Sequence, residues 1–176
     1  SDATQDITTT YNRQGQRTTV SDIQGTTGFK YTVAGALKRT TLNGVIIENN
    51  YDSLLRRDSL NYVVGSSNIN IDYTHDDASR LKTISSGGHT ATYDYLQYSS
   101  LVENLTMNNG TSDIMTTTKI FDNLNRLVST TTPNVNSHTY AYNDANQRTR
   151  VDLANGEYWK YQYDDLGQVV GGAKYL

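Results

Sequence analysis

The residues best suited to acid–base chemistry are His75, Asp76 and Asp77, which follow one another directly. A hydrolase would need a base with a perturbed pKa placed beside its substrate. Neighbouring residues on a strand point to opposite faces, so His75 and Asp76 could cooperate only within a turn. His75 also occupies the aromatic position of a repeat described below, which favours packing or hydrogen bonding. We therefore assign no catalytic residue and keep these three as the candidates for a hydrolase.

Other chemical motifs are missing from the sequence. It has no Gly-x-Ser-x-Gly elbow, His-Glu-x-x-His pair, phosphate-binding loop or dinucleotide-binding glycine pattern. It contains no Cys and three His, and it lacks the twelve-residue Asp-rich calcium loop. We accordingly predict no metal site and no cofactor, and the sequence favours a protein that is not an enzyme.

A binding role is suggested by the segment 157–161, which contains Trp159, the single tryptophan. Strand alternation would place Trp159 and Tyr161 on one face and Tyr158 and Lys160 on the other. Exposed flat rings can stack on sugars, although large aromatic side chains are more often buried. We name Trp159, Tyr158 and Tyr98 as candidate ligand-binding residues, with carbohydrate as the candidate ligand.

The composition indicates an all-β protein of about one domain. Among 176 residues there are 14 Tyr, 13 Gly, one Pro and many Thr and Asn, residues that suit pleated strands and tight turns. The net charge of −3 shows no basic patch for nucleic acid. No apolar run is long enough to span a membrane, and no signal peptide is recognisable in these residues.

A tandem repeat organises the chain. Each copy begins with an aromatic or His residue, here called position zero, and successive copies start 20 to 26 residues apart. Position plus one is usually Asp or Asn, which opens a turn, and plus four is usually Gly, Asn or Ser, as left-handed φ requires, with Leu55 as the exception. The repeats start near Tyr11, Tyr31, Tyr51, His75, Tyr95, Phe121, Tyr142 and Tyr163.

Each repeat contains β-prone runs after plus six, many of which end in a hairpin signal such as Asn43-Gly44. The pattern predicts tandem β-hairpins, roughly sixteen strands in a single repeat domain spanning residues 1–176. Such repeats bury their faces on their neighbours, so we expect a long, twisted and curved antiparallel sheet, a solenoid-like partial β-spiral without a compact core. The rings at position zero are expected to pack rather than to bind a ligand.

The frame resembles the tyrosine-aspartate (YD) repeat of bacterial Rhs proteins. The resemblance rests on the stretches 121–127 and 163–169 and on the closing stretch from Tyr140 to Gly172. It implies a strip of hairpins wound into a hollow β-shell, which in toxin complexes encloses a toxin, and a bacterial setting that is secreted or at the cell envelope. The family's Asp-Pro self-cleavage motif has no match, since Pro133 is the only proline, and residues 1–176 contain no segment expected to form a toxin domain.

These observations lead to one principal functional prediction and two alternatives. We predict a structural and interaction module, a segment of an Rhs-type repeat shell that encloses or displays a cargo. A carbohydrate-binding surface module and a hydrolase built on the repeat are the alternatives. The expected partner is the rest of a longer Rhs-type chain, or a second copy joined through exposed strand edges.

Overall fold

A computed structural model describes residues 6–176, which contain sixteen β-strands and no helix. The strands are β1 (Thr8–Tyr11), β2 (Arg17–Asp22), β3 (Gly25–Tyr31), β4 (Leu37–Leu42), β5 (Val45–Tyr51), β6 (Arg57–Val64), β7 (Ser67–His75), β8 (Leu81–Ser86), β9 (His89–Tyr95), β10 (Val102–Asn108), β11 (Asp113–Phe121), β12 (Leu127–Thr132), β13 (Asn136–Tyr142), β14 (Arg148–Leu153), β15 (Tyr158–Tyr163) and β16 (Val169–Tyr175). In this part of the chain there is no helix that is long and apolar enough to cross a bilayer.

The strands form antiparallel meanders in chain order. The chain divides into two compact units, one ending at Gly88 with strands β1 to β8 and the other beginning at His89 with strands β9 to β16. Within each unit, the described strands contact only the strands that precede and follow them in the sequence. The predicted all-β fold of tandem hairpins is therefore confirmed. The single repeat domain expected for residues 1–176 stays a prediction.

The first unit has one mainly polar and one mainly apolar face. Cross-strand pairing aligns Glu48 with Asn61 and Asn61 with Asn70, so these polar side chains share a face. One residue along each strand, Ile47 pairs with Tyr62 and Tyr62 with Ile69 on the opposite face. Because successive side chains point to opposite faces, the alternation of residue types sets which face is apolar.

The second unit repeats this division. Thr92 pairs with Thr106, and Thr106 with Thr116, in a row of hydroxyl groups on one face. On the other face, Tyr140 pairs with Val151 and Val151 with Trp159. Each unit is therefore an amphipathic sheet that no second layer covers within the unit.

Burial is shallow throughout the described residues, as a single layer requires. Only Val151 and Asn49 are buried, at 8% and 5% exposure, and no large side chain is completely buried. Stability thus comes from cross-strand pairs and half-buried rings rather than from a packed core.

The repeat frame marks the same place in every hairpin. Position zero is the last residue of each odd-numbered strand, and in seven of the eight repeats plus six is the first residue of the next strand. In the first turn, the Gly15 N–H donates to the Asn12 carbonyl (3.1 Å) and the Asn12 N–H donates to the Gln16 carbonyl (2.9 Å). This is a type I turn followed by a left-handed residue that forms a bulge.

The left-handed residue falls at plus four in seven repeats, including the third, where it is Leu55 with φ 60°. The exception in sequence is therefore not an exception in conformation. The fifth turn does differ, because its closing bond runs from the Leu96 N–H to the Leu101 carbonyl, one residue further than elsewhere. Its left-handed residue is Tyr98, with φ 58°.

Replacing Leu55 by Gly should stabilise the protein. A left-handed φ costs a residue with a Cβ roughly 1–2 kcal/mol, and the added freedom of glycine in the unfolded chain offsets roughly 0.5–1 kcal/mol of the relief. We expect Leu55→Gly to raise the free energy of unfolding by about 0.5–1 kcal/mol in urea titrations. Leu54→Gly is the matched control, because Leu54 is also exposed but has an ordinary φ, and it should destabilise. If Leu55→Gly were less stable than Leu54→Gly, the idea that Leu55 strains this turn would be wrong.

Candidate functional site

The most regular side-chain structure in the molecule is a carboxylate at plus one that accepts hydrogen bonds within its turn, as seen in four of the eight repeats. Asp52 Oδ1 accepts hydrogen bonds from the N–H groups of Leu54 and Arg56, both at 2.9 Å. Its Oδ2 accepts one from Arg56 Nε at 2.7 Å. The pairs Asp76–Arg80 and Asp122–Arg126 repeat this arrangement in the fourth and sixth turns. Position plus one thus binds the turn backbone and the side chain at plus five together.

The folded turn stabilises the ionised form of these carboxylates. Desolvation raises the pKa of Asp52, but the hydrogen bonds from the Arg56 N–H, the Arg56 guanidinium and the Leu54 N–H outweigh it. The pKa of Asp52 therefore lies below its ordinary value, and the pKa values of Asp76 and Asp122 are lowered against desolvation in the same way. The ionised form consequently stabilises the turn at neutral pH.

Other repeats use a matched neutral pair at the same positions. Asn12 Nδ2 donates to Gln16 Oε1 at 2.8 Å, and Asn143 Nδ2 donates to Gln147 Oε1 at 2.6 Å. In five repeats the residues at plus one and plus five are therefore matched, acid with base or amide with amide. The eighth repeat combines Asp164 with Gln168, and the second and fifth repeats have neither kind of pair. Sequence reasoning assigned plus one to the turn but missed its partner, although this joint variation across the repeats was a usable signal.

The residue at plus five also reaches the turn of the next repeat. Arg56 Nη1 donates to Ser79 Oγ at 2.9 Å, and Arg126 Nη1 donates to Asn146 Oδ1 at 2.8 Å. Gln16 Nε2 donates to the next plus-four carbonyl, that of Gly35, at 3.2 Å. We call this series of contacts from plus five to the following plus four the turn ladder. It links the first repeat to the second, the third to the fourth and the sixth to the seventh.

Three of the six tyrosines at position zero are held by hydrogen bonds to the backbone of the preceding repeat. The hydroxyls of Tyr51, Tyr142 and Tyr163 donate to the carbonyl at plus six of the preceding repeat, at 2.7 to 2.8 Å. Arg148 also lies over the ring of Tyr140, 4.3 Å from its centroid. These contacts agree with the packing role expected for the ladder of rings.

The proposed hydrolase residues meet at the fourth turn. His75 ends β7, and Asp76 is the turn carboxylate, with both oxygens engaged by Ala78 and Arg80. A carboxylate held in this way serves the turn. The described residues also contain no cluster of three His, Cys, Asp or Glu side chains placed to hold a metal. A catalytic role for His75, Asp76 or Asp77 stays a prediction. The geometry of the fourth turn identifies no additional catalytic candidate among the described residues.

The three candidate ligand residues occupy different surroundings. Tyr98 is 96% exposed at the tip of the fifth turn, and Trp159 is 37% exposed in β15 between Val151 and Lys174. Tyr158 is covered, because the Arg150 guanidinium lies 3.8 Å from its centroid. The ring of Tyr175 also stacks on it at 5.0 Å. Tyr98 and Trp159 therefore remain available for stacking, whereas the faces of Tyr158 are occupied.

An open groove of about 530 Å³ lies beside Tyr175 on strands β13 to β16. Its polar lining includes Arg150, Lys160 and Gln162, and small residues such as Ala141, Gly171 and Ala173 line it as well. Sequence alternation placed Lys160 opposite Trp159, but the small residues that leave the groove open come from two other strands. The groove could not be read from the segment 157–161 alone.

The fold and its turns define a tandem β-hairpin repeat protein, and solved toxin structures contain the same fold. The chain is similar to part of the Photorhabdus luminescens Tc holotoxin pore structure, with a TM-score of 0.80, 14% identity, 96% of this chain covered and 11% of that chain. It is also similar to a TcdB2–TccC3 crystal structure (TM-score 0.81, 14% identity, 94% and 11% covered). A third is TcdB2–TccC3 without its hypervariable C-terminal region (TM-score 0.76, 17% identity, 97% and 10% covered).

The chain therefore spans about a tenth of the length of these solved chains. They contain an Rhs repeat shell, so the resemblance to the YD repeat is confirmed at the level of the fold. No protein-family model and no curated protein matches the sequence.

The matched pairs predict that the two kinds of turn can be exchanged. Asp122→Asn with Arg126→Gln converts the sixth turn to the amide pair of the first and seventh turns. Each single substitution leaves an unmatched partner, so each should lower the urea midpoint, and the double variant should lose less than the sum of the two. Asn143→Asp with Gln147→Arg, which makes the reverse exchange, is the control. Strictly additive losses at both turns would show that the pairs are not coupled.

Acid should separate the two kinds of pair. A carboxylate whose pKa is lowered on folding contributes stability above its unfolded pKa, near 3.8, and that contribution disappears as the pH falls through the folded pKa. Between pH 5 and more acidic solution, the unchanged protein should therefore lose more stability than the double variant Asp122→Asn/Arg126→Gln. Equal losses in the two proteins would remove this carboxylate from the acid response.

Proposed function

We propose that the chain is a segment of an Rhs-type repeat shell that encloses or displays a cargo and has no catalysis of its own. The observation that carries the proposal is the single-layered amphipathic sheet of each unit, in which almost nothing is buried. Such a sheet is suited to be a wall that separates two environments. The fold likeness to Tc toxin chains supports this role.

The partner follows from the strand edges. Within the described residues, β1 pairs only with β2, and β16 pairs only with β15. Unpaired backbone groups at such edges favour pairing with another strand. We propose that the rest of a longer Rhs-type chain, or a second copy, covers them, in a bacterial protein that is secreted or at the cell envelope. A mass that rises with concentration in light scattering would identify the second copy.

Face-selective labelling tests the shell role, and the absence of Cys gives a clean background. Ile69→Cys and Asn70→Cys place single thiols on neighbouring residues of β7 that point to opposite faces. In the isolated chain, a large polyethylene-glycol maleimide should modify both. In the natural polypeptide that carries residues 1–176, we expect only one face to react until the protein is denatured. Equal labelling of both faces in that polypeptide would refute a closed wall.

A second candidate function, carbohydrate binding, is favoured by the exposed rings of Tyr98 and Trp159. Trp159 is the only tryptophan, so its fluorescence reports directly on its face of the sheet. Neutral oligosaccharides should quench it, and Trp159→Phe should reduce their affinity. No fluorescence change across a panel of neutral glycans would exclude the Trp159 face as their site.

A further inference from the structure

The turns that begin the repeats carry an apolar residue at their tips. Position plus three is the third residue of a four-residue turn, which is closed by the hydrogen bond from the plus-four N–H to the plus-one carbonyl. Polar residues and glycine usually dominate such turns. In seven of the eight repeats, however, plus three is an exposed Ala, Leu or Tyr, namely Ala34, Leu54, Ala78, Tyr98, Leu124, Ala145 and Leu166. The turn itself gives no reason for an apolar residue at this position.

In the second unit these residues form a regular row. The turns that join β9 to β10, β11 to β12, β13 to β14 and β15 to β16 lie along one edge of the meander. Neighbouring tips are two strands apart, which is about 10 Å. Tyr98, Leu124 and Leu166 are 96%, 64% and 83% exposed. We call these three residues and the exposed Ala145 the tip row, and such a series of exposed apolar side chains is typical of an interaction surface.

A polar row runs beside the tip row, at position plus two of the same turns. Its members are two amides followed by two carboxylates, in the order Gln97, Asn123, Asp144 and Asp165. All four residues are exposed, and none of their side chains takes part in a hydrogen bond or ion pair among the residues that the structure describes. Donors and acceptors are therefore free along the whole edge, with the donors at one end and the carboxylates at the other.

We propose that the tip row is a contact surface between two copies of this chain, which lie antiparallel about a two-fold rotation axis. An axis between the sixth and seventh turns places the fifth turn of one copy against the eighth turn of the other. Tyr98 then meets Leu166 of the second copy, and Leu124 meets Ala145 of the second copy. Since a two-fold contact uses the same patch from both copies, the patch must be self-complementary. The large Leu124 side chain facing the small Ala145 side chain satisfies this condition at the centre.

The polar row determines the orientation. In the antiparallel arrangement, Gln97 faces Asp165 of the second copy and Asn123 faces Asp144 of the second copy, so each carboxylate accepts a hydrogen bond from an amide. A parallel arrangement would instead set carboxylate against carboxylate, which is unfavourable. The polar row is therefore self-complementary in the antiparallel orientation alone.

The size of the surface sets the strength of the contact. The two rows supply eight residues from each copy, whereas a standard stable interface uses roughly 20–30 residues a side. The dimer is therefore weak and forms at high protein concentration. It does not rest on the shell role, and it differs from strand pairing at β1 or β16 because the turn tips present side chains rather than unpaired strand backbone. Asp144 and Asp165 disfavour a lipid surface, where the two carboxylates would lose hydration.

Sedimentation equilibrium of the full chain over a concentration series tests the tip row. We expect a monomer–dimer equilibrium that Leu124→Ser and Leu166→Ser each weaken roughly tenfold or more, because each change removes two apolar side chains from the dimer contact. Val135→Ser is the control, since Val135 is 73% exposed in a turn on the opposite edge, and it should leave dimerisation unchanged. A protein that stays monomeric throughout, or that responds equally to Leu124→Ser and Val135→Ser, would overturn the proposal. Monomeric protein that floats with phosphatidylcholine vesicles would assign the row to lipid and overturn it too.

A charge exchange tests the antiparallel orientation. Gln97→Asp should weaken the dimer, because the new carboxylate would face Asp165 of the second copy. Adding Asp165→Gln recreates the amide–carboxylate pair in reverse and should restore the affinity. Adding Asp144→Asn instead gives the same net charge but leaves the two carboxylates facing each other, so the affinity should stay low. No effect of Gln97→Asp, or equal affinities of the two double variants, would exclude this pairing.

Discussion

Every hairpin of this chain depends on one local constraint, a turn in which the chain must pass through a left-handed residue before it can return. In seven of the eight repeats the side chain at plus one stabilises the turn by accepting hydrogen bonds from the turn's own N–H groups, as Asp52 does. Because the same side chain also holds plus five, it aims that residue at the next turn. Local turn chemistry and the order of the hairpins are therefore set by the same few atoms.

The single-layered sheet follows from these local connections between hairpins. Hairpins that contact only their sequence neighbours bring no second layer to cover either face. Both faces of the sheet are therefore exposed, and they differ in their side chains. One face carries mainly hydroxyl, amide and charged groups, and the other carries mainly aromatic rings and aliphatic side chains that pack against each other across strands. A single-layered sheet of this kind is stabilised by pairing between neighbouring strands, each inner strand having two partners, rather than by a buried core.

Much of this arrangement could be predicted from the sequence because the repeat states it eight times. Position zero, the turn and the following strand all lie where the frame put them. Leu55 adopts the left-handed conformation that the frame requires at plus four although its residue type disfavours it, because the neighbouring bonds of the turn dictate it. The frame failed at the fifth copy, where the turn is one residue longer and the left-handed residue is Tyr98.

The partner at plus five and the groove were missed for a different reason. A pairing such as Asn12 with Gln16 becomes visible only when the copies are compared with each other, not when each is read for turn propensity. The groove needs the register that sets Lys160 between Arg150 and Ala173. The register between three strands depends on how the strands pair, and the sequence of one strand alone does not specify it.

The turn ladder has a consequence for how such chains can change over evolutionary time. Since each acid–base or amide–amide pair is complete within one turn, any of the five repeats that hold such a pair can be duplicated or deleted without separating the two partners. The outgoing contact lands on a serine hydroxyl, an asparagine amide or a backbone carbonyl in the next turn, so the junction tolerates whichever repeat comes next. Recombination between repeats that hold such pairs would thus lengthen or shorten the sheet in steps of one hairpin without splitting a pair.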